Sequence, residues 1–246
     1  MKRTTNKLKS INRVRRRMSL NARKVAHSGG NKGPAQEAID PGSYPVRLAQ
    51  IIDLGLQNQR PWQGEAKPPA HEMMLTYELL DEFCLDEDGK PDEDKPRWLS
   101  ETIPLRSLMA EKAKSTQRYY ALDPNEDADG DFTALASAPA NASITQNAGK
   151  GKNVGKVYNN IQSLSPMRPK DAAKAEPLKK EPKVFVLDDP DLEVFNSLPD
   201  WLQDKIKENL EFQGSALQNL LAGDTAEPVP EPIDDAADDV DGDVEW

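Results

Sequence analysis

The sequence predicts a mainly β domain with added helices, set between two polar ends of opposite charge. Three observations carry that reading. Short β-branched and apolar runs recur between Gly- and Pro-containing turns from Pro41 to Ser165. Apolar residues make up 37% and aromatics 6% of the 246 residues, and the mean hydropathy is -0.76, low for a chain folded along its whole length. The formal net charge of -10 is also segregated. Residues 1–36 hold Lys and Arg, among them Arg13, Arg15, Arg16 and Arg17, and no acid, whereas residues 223–246 hold Asp and Glu and no base. Asymmetry of this kind is itself a signal.

Residues 1–36 end in SGGNKGP and read as a disordered basic arm. Structure is expected to begin at Pro41-Gly42, a turn leading into YPVRLAQIIDLGL. There Tyr44, Val46 and Leu48 share one strand face, with Arg47 and Gln50 off it. NQRPWQGEAKPP is a loop with Trp62 at its tip. HEMMLTYELLDEF alternates as a second strand, Met73, Leu75, Tyr77 and Leu79 opposing Glu72, Met74, Thr76 and Glu78. DEDGKPDEDKP reads as an acidic turn and RWLSETIPL as a third strand. LRSLMAEKAKSTQRYY places Leu105, Leu108, Met109, Ala113, Thr116 and Tyr120 at helical spacing. DPNEDADGD is an acidic loop, and DFTALAS a short helical turn. ANASITQN and KVYNNIQSLS are strands joined by the Gly-rich basic loop AGKGKNVG.

Three strands, a helix and two further strands match the order of an OB-like five-stranded barrel, here over residues 37–168. Residues 169–195 form a Pro/Lys-rich connector. Residues 196–222 are an amphipathic helical segment. In FNSLPDWLQDKIKENLEFQG, Ser197 is placed to cap a helix, Gly214 to end it, and Leu198, Trp201, Leu202, Ile206 and Leu210 to form one apolar stripe. That stripe is expected to pack on the barrel or on a second subunit, which leaves room for a homodimer. Residues 223–246 carry too little apolar surface to fold and read as a disordered acidic tail.

Catalytic and cofactor chemistry finds no purchase. His27, His71 and the lone Cys84 cannot form a typical zinc site, and one cysteine fits a reducing cytoplasm. GKGKNVGK departs from a phosphate loop in the spacing of Gly149 and Gly155 and in Val157, which stands where a hydroxyl should hold magnesium. Asn125–Gly130 resembles the start of a calcium loop, but Ala136 stands where the bidentate Glu belongs. The carboxylates between Asp81 and Asp94 flank a Gly/Pro turn rather than a rigid cleft. No apolar run approaches a membrane span. A non-catalytic protein without cofactor or metal is expected.

Binding single-stranded nucleic acid needs a cationic track for phosphates and aromatic faces for bases. The expected contacts are Lys150, Lys152, Lys156 and Tyr158 on the hairpin, Trp62 in its loop, and Arg47, Arg97 and Trp98 on the strands. Arg106, Lys112, Lys114 and Arg118 extend the track, and Tyr77, Tyr119 and Tyr120 are further aromatics. The tail reads as a peptide ligand: Asp238, Asp239, Asp241, Asp243 and Glu245 steer it to basic grooves and Trp246 anchors it. Tethering also lets it compete with DNA for the chain's own basic face.

At these residues a resemblance becomes visible. PGSYPVRLAQIIDLGLQ, KPPAHEMMLTYEL, DKPRWLSETIPL, EKAKSTQRYYALDP, NAGKGKNVGKVYNNIQSLSPM and FNSLPDWLQDKIKENLEFQGSAL resemble a group of tailed-phage proteins taken to be single-stranded DNA-binding proteins. The resemblance covers about Pro41 to Leu221, and the tail is similar to the acidic, aromatic-ended tails of such proteins. It implies an OB-fold that coats single strands in replication, recombination and repair in the host cytoplasm. It also implies a tail that recruits polymerase and helicase-primase. The basic arm departs from the family. The competing expectation is a phage interaction protein, a virion component or a DNA mimic acting on a host factor, working through its acidic surface.

Overall fold

The computed structural model describes residues 37–61 and 63–223; the expectations for the arm, for Trp62 and for the tail from Asp224 to Trp246 lie outside the described residues. The elements run β1 (Gly42–Gln57), β2 (Ala70–Leu85), β3 (Pro91–Pro104), α1 (Lys114–Leu122), β4 (Pro139–Ala148), β5 (Val157–Pro166), α2 (Pro169–Ala172), β6 (Lys183–Phe185), α3 (Leu192–Asn196), α4 (Asp200–Lys207) and α5 (Ala216–Ala222). The sheet order is β3-β2-β1-β4-β5, with β6 added to β1. Every pairing is antiparallel except β1–β6. The protein is thus a mainly antiparallel sheet with a few helices, OB-like in the order of strands and helix.

Two bulges in β1 explain why its alternation is only partial in the sequence. Leu48 pairs with Tyr77 and Gln50 with Thr76, so Ala49 is an extra residue that shifts the side-chain parity. Val46 and Leu48 before the bulge, and Ile51 after it, therefore enter one core. Ile52 and Leu54 point the other way, into a second core. The first core lies inside the curled sheet, where Leu75, Tyr77, Leu79, Ile103 and Ile144 meet Tyr119 of α1. The second lies on the outer face, where Met74 and Phe185 meet Phe195, Leu198, Leu202, Ile206 and Leu217. At the second bulge Gly55 adopts φ +71°, and a Cβ there would fall 2.7 Å from Asn209 Cγ and 2.8 Å from Leu187 Cδ1. Only glycine lets the C-terminal helices seat this closely.

Several sequence expectations change. The sheet has six strands and is not closed, where a five-stranded barrel was expected. The sixth strand arises because β4 covers the edge of β1 only from Gly42 to Arg47, leaving Gln50–Ile52 to pair with Lys183–Phe185. The stretch read as a connector thus supplies α2, β6 and most of α3. The acidic turn is mostly strand: β2 and β3 continue as a ribbon to Leu85 and Pro91. The bend itself is Asp86–Lys90, where Asp86 Oδ1 accepts from the amides of Asp88 and Lys90. The helix after β3 begins only at Lys114. It buries Thr116, Arg118 and Tyr119, while Met109 and Tyr120 are exposed.

The expected helical segment 196–222 holds two separate helices, α4 and α5, and α3 ends at its first residue. Ser197 ends α3, its Oγ donating to the Val194 carbonyl, and Pro199 precedes α4. Beyond α4 the buried Asn209 side chain donates to the Ile206 carbonyl and accepts from the Glu211 amide. The Leu210 amide donates to Leu56 of the sheet, so the chain turns away from the helix axis. Leu198, Leu202 and Ile206 of the expected stripe are buried on the sheet; Trp201 and Leu210 are exposed.

Candidate nucleic-acid interface

The two end strands of the sheet, β3 and β5, approach each other without a backbone ladder, and side chains close the gap. Arg118 of α1 is 1% exposed and donates from Nε and Nη2 to Glu101 of β3 at 2.7 and 3.2 Å. Its Nη2 also donates to the carbonyls of Ile161 and Gln162 on β5. Glu101 further accepts from Lys114 Nζ at 2.7 Å and from the Tyr77 hydroxyl at 3.2 Å. Burial pushes the Glu101 carboxyl up, but the hydrogen bonds and charges of Arg118 and Lys114 outweigh it and hold the group below its ordinary range. Burial raises Tyr77 well above its usual value, with the Glu101 charge adding to the effect.

Farther along the same gap the residues Glu37–Ile39 lie across it as a strap. Arg97 Nη2 on β3 donates to the Glu37 carbonyl at 2.7 Å. On the other side the Ile39 amide donates to Asn159 Oδ1, and its carbonyl accepts from Asn159 Nδ2 and Gln146 Nε2. The strap therefore ties β3 at Arg97 to β5 at Asn159.

Trp98 is 40% exposed, and its indole N–H donates to Glu78 Oε2 at 2.9 Å. Glu78 is 1% exposed; its other oxygen accepts from the Lys179 amide at 3.0 Å. One buried carboxylate therefore fixes both the ring and the segment bearing Lys179 and Lys180. Together with Lys95, Asp94 and Pro96 they line a shallow groove of about 240 Å³. The ring presents a face while its polar edge is satisfied, the state a stacking platform requires. Lys95 also pairs with Asp92 at 2.7 Å.

Across the strap, β4 and β5 end in the lysine hairpin. The Gly149 amide donates to the Lys156 carbonyl, and a Cβ at Gly149 would meet the Asn153 carbonyl oxygen at 2.1 Å, so the turn demands glycine. Lys150, Lys152 and Lys156 are exposed, as are Val154, Val157 and Tyr158. Lys156 Nζ reaches Asn153 Oδ1 at 3.4 Å. An unburied run of cations and apolar surface on a protruding loop can follow a polyanion and cover its bases.

The remaining sequence candidates stand elsewhere. Arg47 donates to the carbonyls of Ser137, Ala175 and Glu176, which ties the α2 region to β1. Arg118 and Tyr119 are buried in the seam, and Lys114 is paired with Glu101. Arg106 and Lys112 are exposed on the turns before α1. Trp62 and the tail residues Asp238, Asp239, Asp241, Asp243, Glu245 and Trp246 lie outside the described residues. Lys179 and Lys180 were missed because they sit in a Pro/Lys-rich stretch whose only signal is composition. Their place beside Trp98 is set by a hydrogen bond across about a hundred residues.

The site thus belongs to an OB-like sheet protein with an exposed indole and a lysine hairpin on neighbouring end strands. No protein-family model and no curated protein matches the chain. Among solved structures it is similar to yeast RPA bound to ssDNA, at 12% identity over 61% of this chain and 90% of that chain. The TM-score is 0.27. Among the described residues no helix is long and apolar enough to cross a membrane.

Proposed function

We propose that the protein binds single-stranded DNA without catalysis and with little sequence preference. The observation that carries the reading is the Trp98 groove with Lys95, Lys179 and Lys180, set across a three-residue strap from Lys150, Lys152, Lys156 and Tyr158. Phosphates follow the lysines, and bases stack on Trp98 and Tyr158. Arg97 lies between the two groups and keeps the strap in place. The resemblance noted in the sequence supports a role for this binding in phage DNA replication and recombination. On that reading the tail through Asp238–Trp246 recruits polymerase and helicase-primase and competes with DNA for the lysine surface.

The test is fluorescence anisotropy of the full-length chain with labelled oligo-dT and with duplex of equal length, over a salt series. Single-strand binding that weakens steadily with salt, and exceeds duplex binding, is the expected result. No binding to oligo-dT at low salt, with or without residues 224–246, overturns the reading.

A further inference from the structure

A second concave surface lies away from the lysines. A cleft of about 720 Å³ opens between the β1–β2 end of the sheet, the Gly130–Thr133 turn, Phe185–Asp188 and Asn209–Ala216. Its floor is apolar: Ile51, Met73, Phe132 and Phe185, with Leu187 and Leu105 toward the mouth. Its charged lining is Asp53, Glu72, Asp131, Asp188 and Glu211, and among the described residues no Lys or Arg lines it. The hydrogen bonds to two of these carboxylates come from neutral donors, which leave their charge standing. Asp53 accepts from the amides of Gly55 and Leu187, and Asp131 from Thr133. Among the described residues, Lys205 Nζ is 3.8 Å from Glu72 and Arg106 lines the adjoining hollow, while the His71 imidazole, in the lining itself, is 3.8 Å from Glu211. A nucleic acid would be repelled here; the surface suits a chain with apolar side chains between cationic ones.

We propose that this cleft is the docking site of the chain's own segment Ile11–Met18, held in cis. That segment supplies both chemistries at once: Ile11, Val14 and Met18 for the floor, and Arg13, Arg15, Arg16 and Arg17 for the five carboxylates. Arginine also lays its aliphatic stem on apolar surface while its head reaches an anionic rim. The tether is long enough. The described chain begins at Glu37, whose carbonyl Arg97 holds beside Trp98. Trp98 and the Ile103 position, opposite Met73 of the floor, are separated by about 17 Å of strand at ~3.3 Å per residue. The chain from Ser19 to Gln36 can extend to about 60 Å, so it spans that distance with slack. A tether of this length gives a local concentration on the order of millimolar, enough to hold a weak contact. A segment seated there is withheld from phosphate ligands.

The test uses the full chain. Limited trypsin digestion, followed by mass spectrometry, reads cleavage after Arg13, Arg15, Arg16 and Arg17. At low salt, cleavage in the unaltered protein is expected to be about tenfold slower than in the D188K/E211K variant, and high salt should abolish the difference. Equal rates at low salt overturn the proposal. So does protection that rises with protein concentration, which would place the segment on a second copy. Should D188K/E211K lose its cooperative unfolding transition, R13S/R15S/R16S/R17S decides, since those positions lie outside the described residues. Amide exchange in 186–189 and 209–216 should quicken in that variant, and unchanged exchange overturns the proposal.

Discussion

Arg118 and the lysine hairpin carry the same charge and sit at the same edge of the sheet, yet they serve opposite ends. Arg118 is enclosed, with a carboxylate and two carbonyls around it, and joins β3 to β5 where no ladder does. Lys150 and Lys152 stand in solvent on a turn shaped by glycines. A cation is available to a ligand only where the fold leaves it unused. Counting basic residues along a chain does not separate the two kinds.

Removing the buried cation should have the largest effect. Arg118→Ala leaves Glu101 enclosed with only Lys114 and Tyr77 and should cost about 3–5 kcal/mol in urea unfolding. The paired change R118M/E101Q should recover part of that loss, because no charge is then stranded. A loss of R118A within experimental error of zero would mean the seam is held elsewhere. Next comes the hairpin. K150A/K152A/K156A should lower oligo-dT affinity by roughly a hundredfold at low salt and reduce the salt slope by about 2, while stability stays within about 0.5 kcal/mol. A triple variant that unfolds early would place the hairpin with Arg118 rather than against it.

Trp98→Ala should weaken binding by about 1–3 kcal/mol, read by titration with oligo-dT, with W98F retaining much of the affinity. Tyr77→Phe should act on stability instead, since that hydroxyl faces Glu101 inside the seam. The smallest effect is on pH. Glu101 titrates below its ordinary value of 4.5 in the folded chain, so its contribution is fully present above that value. It is lost as pH falls from 4.5 through the lower folded value. Urea midpoints between pH 6 and acid should drop less steeply in E101Q than in the unaltered chain.

What was legible in the sequence was what depends on neighbours in the chain. β2 shows its two faces directly, because Met73, Leu75, Tyr77 and Leu79 keep strict parity over a regular stretch. β1 does not, because the extra residues Ala49 and Leu54 reset its parity, and a bulge leaves no mark on composition. Lys183–Phe185 is too short a run to announce a strand, and its pairing partner precedes it by more than half the chain. Arg118 looked like surface charge on a helix; its burial follows from Glu101 and the carbonyls of β5, all distant in sequence. Of the site, the hairpin and Trp98 could be read from residue type and turn chemistry. The Lys179-Lys180 wall could not, since it is held there by Glu78, about a hundred residues earlier in the chain.

The divided edge of β1 has a consequence for how the chain is made. Residues 42–47 find β4 soon after α1 is synthesised, but Gln50–Ile52 stay without a partner on that side until Lys183–Phe185 leave the ribosome. During that interval a nascent chain exposes an unpaired apolar strand edge, a template for pairing with its neighbours. Truncations that end between residues 166 and 183 should therefore aggregate during expression, whatever becomes of their first core.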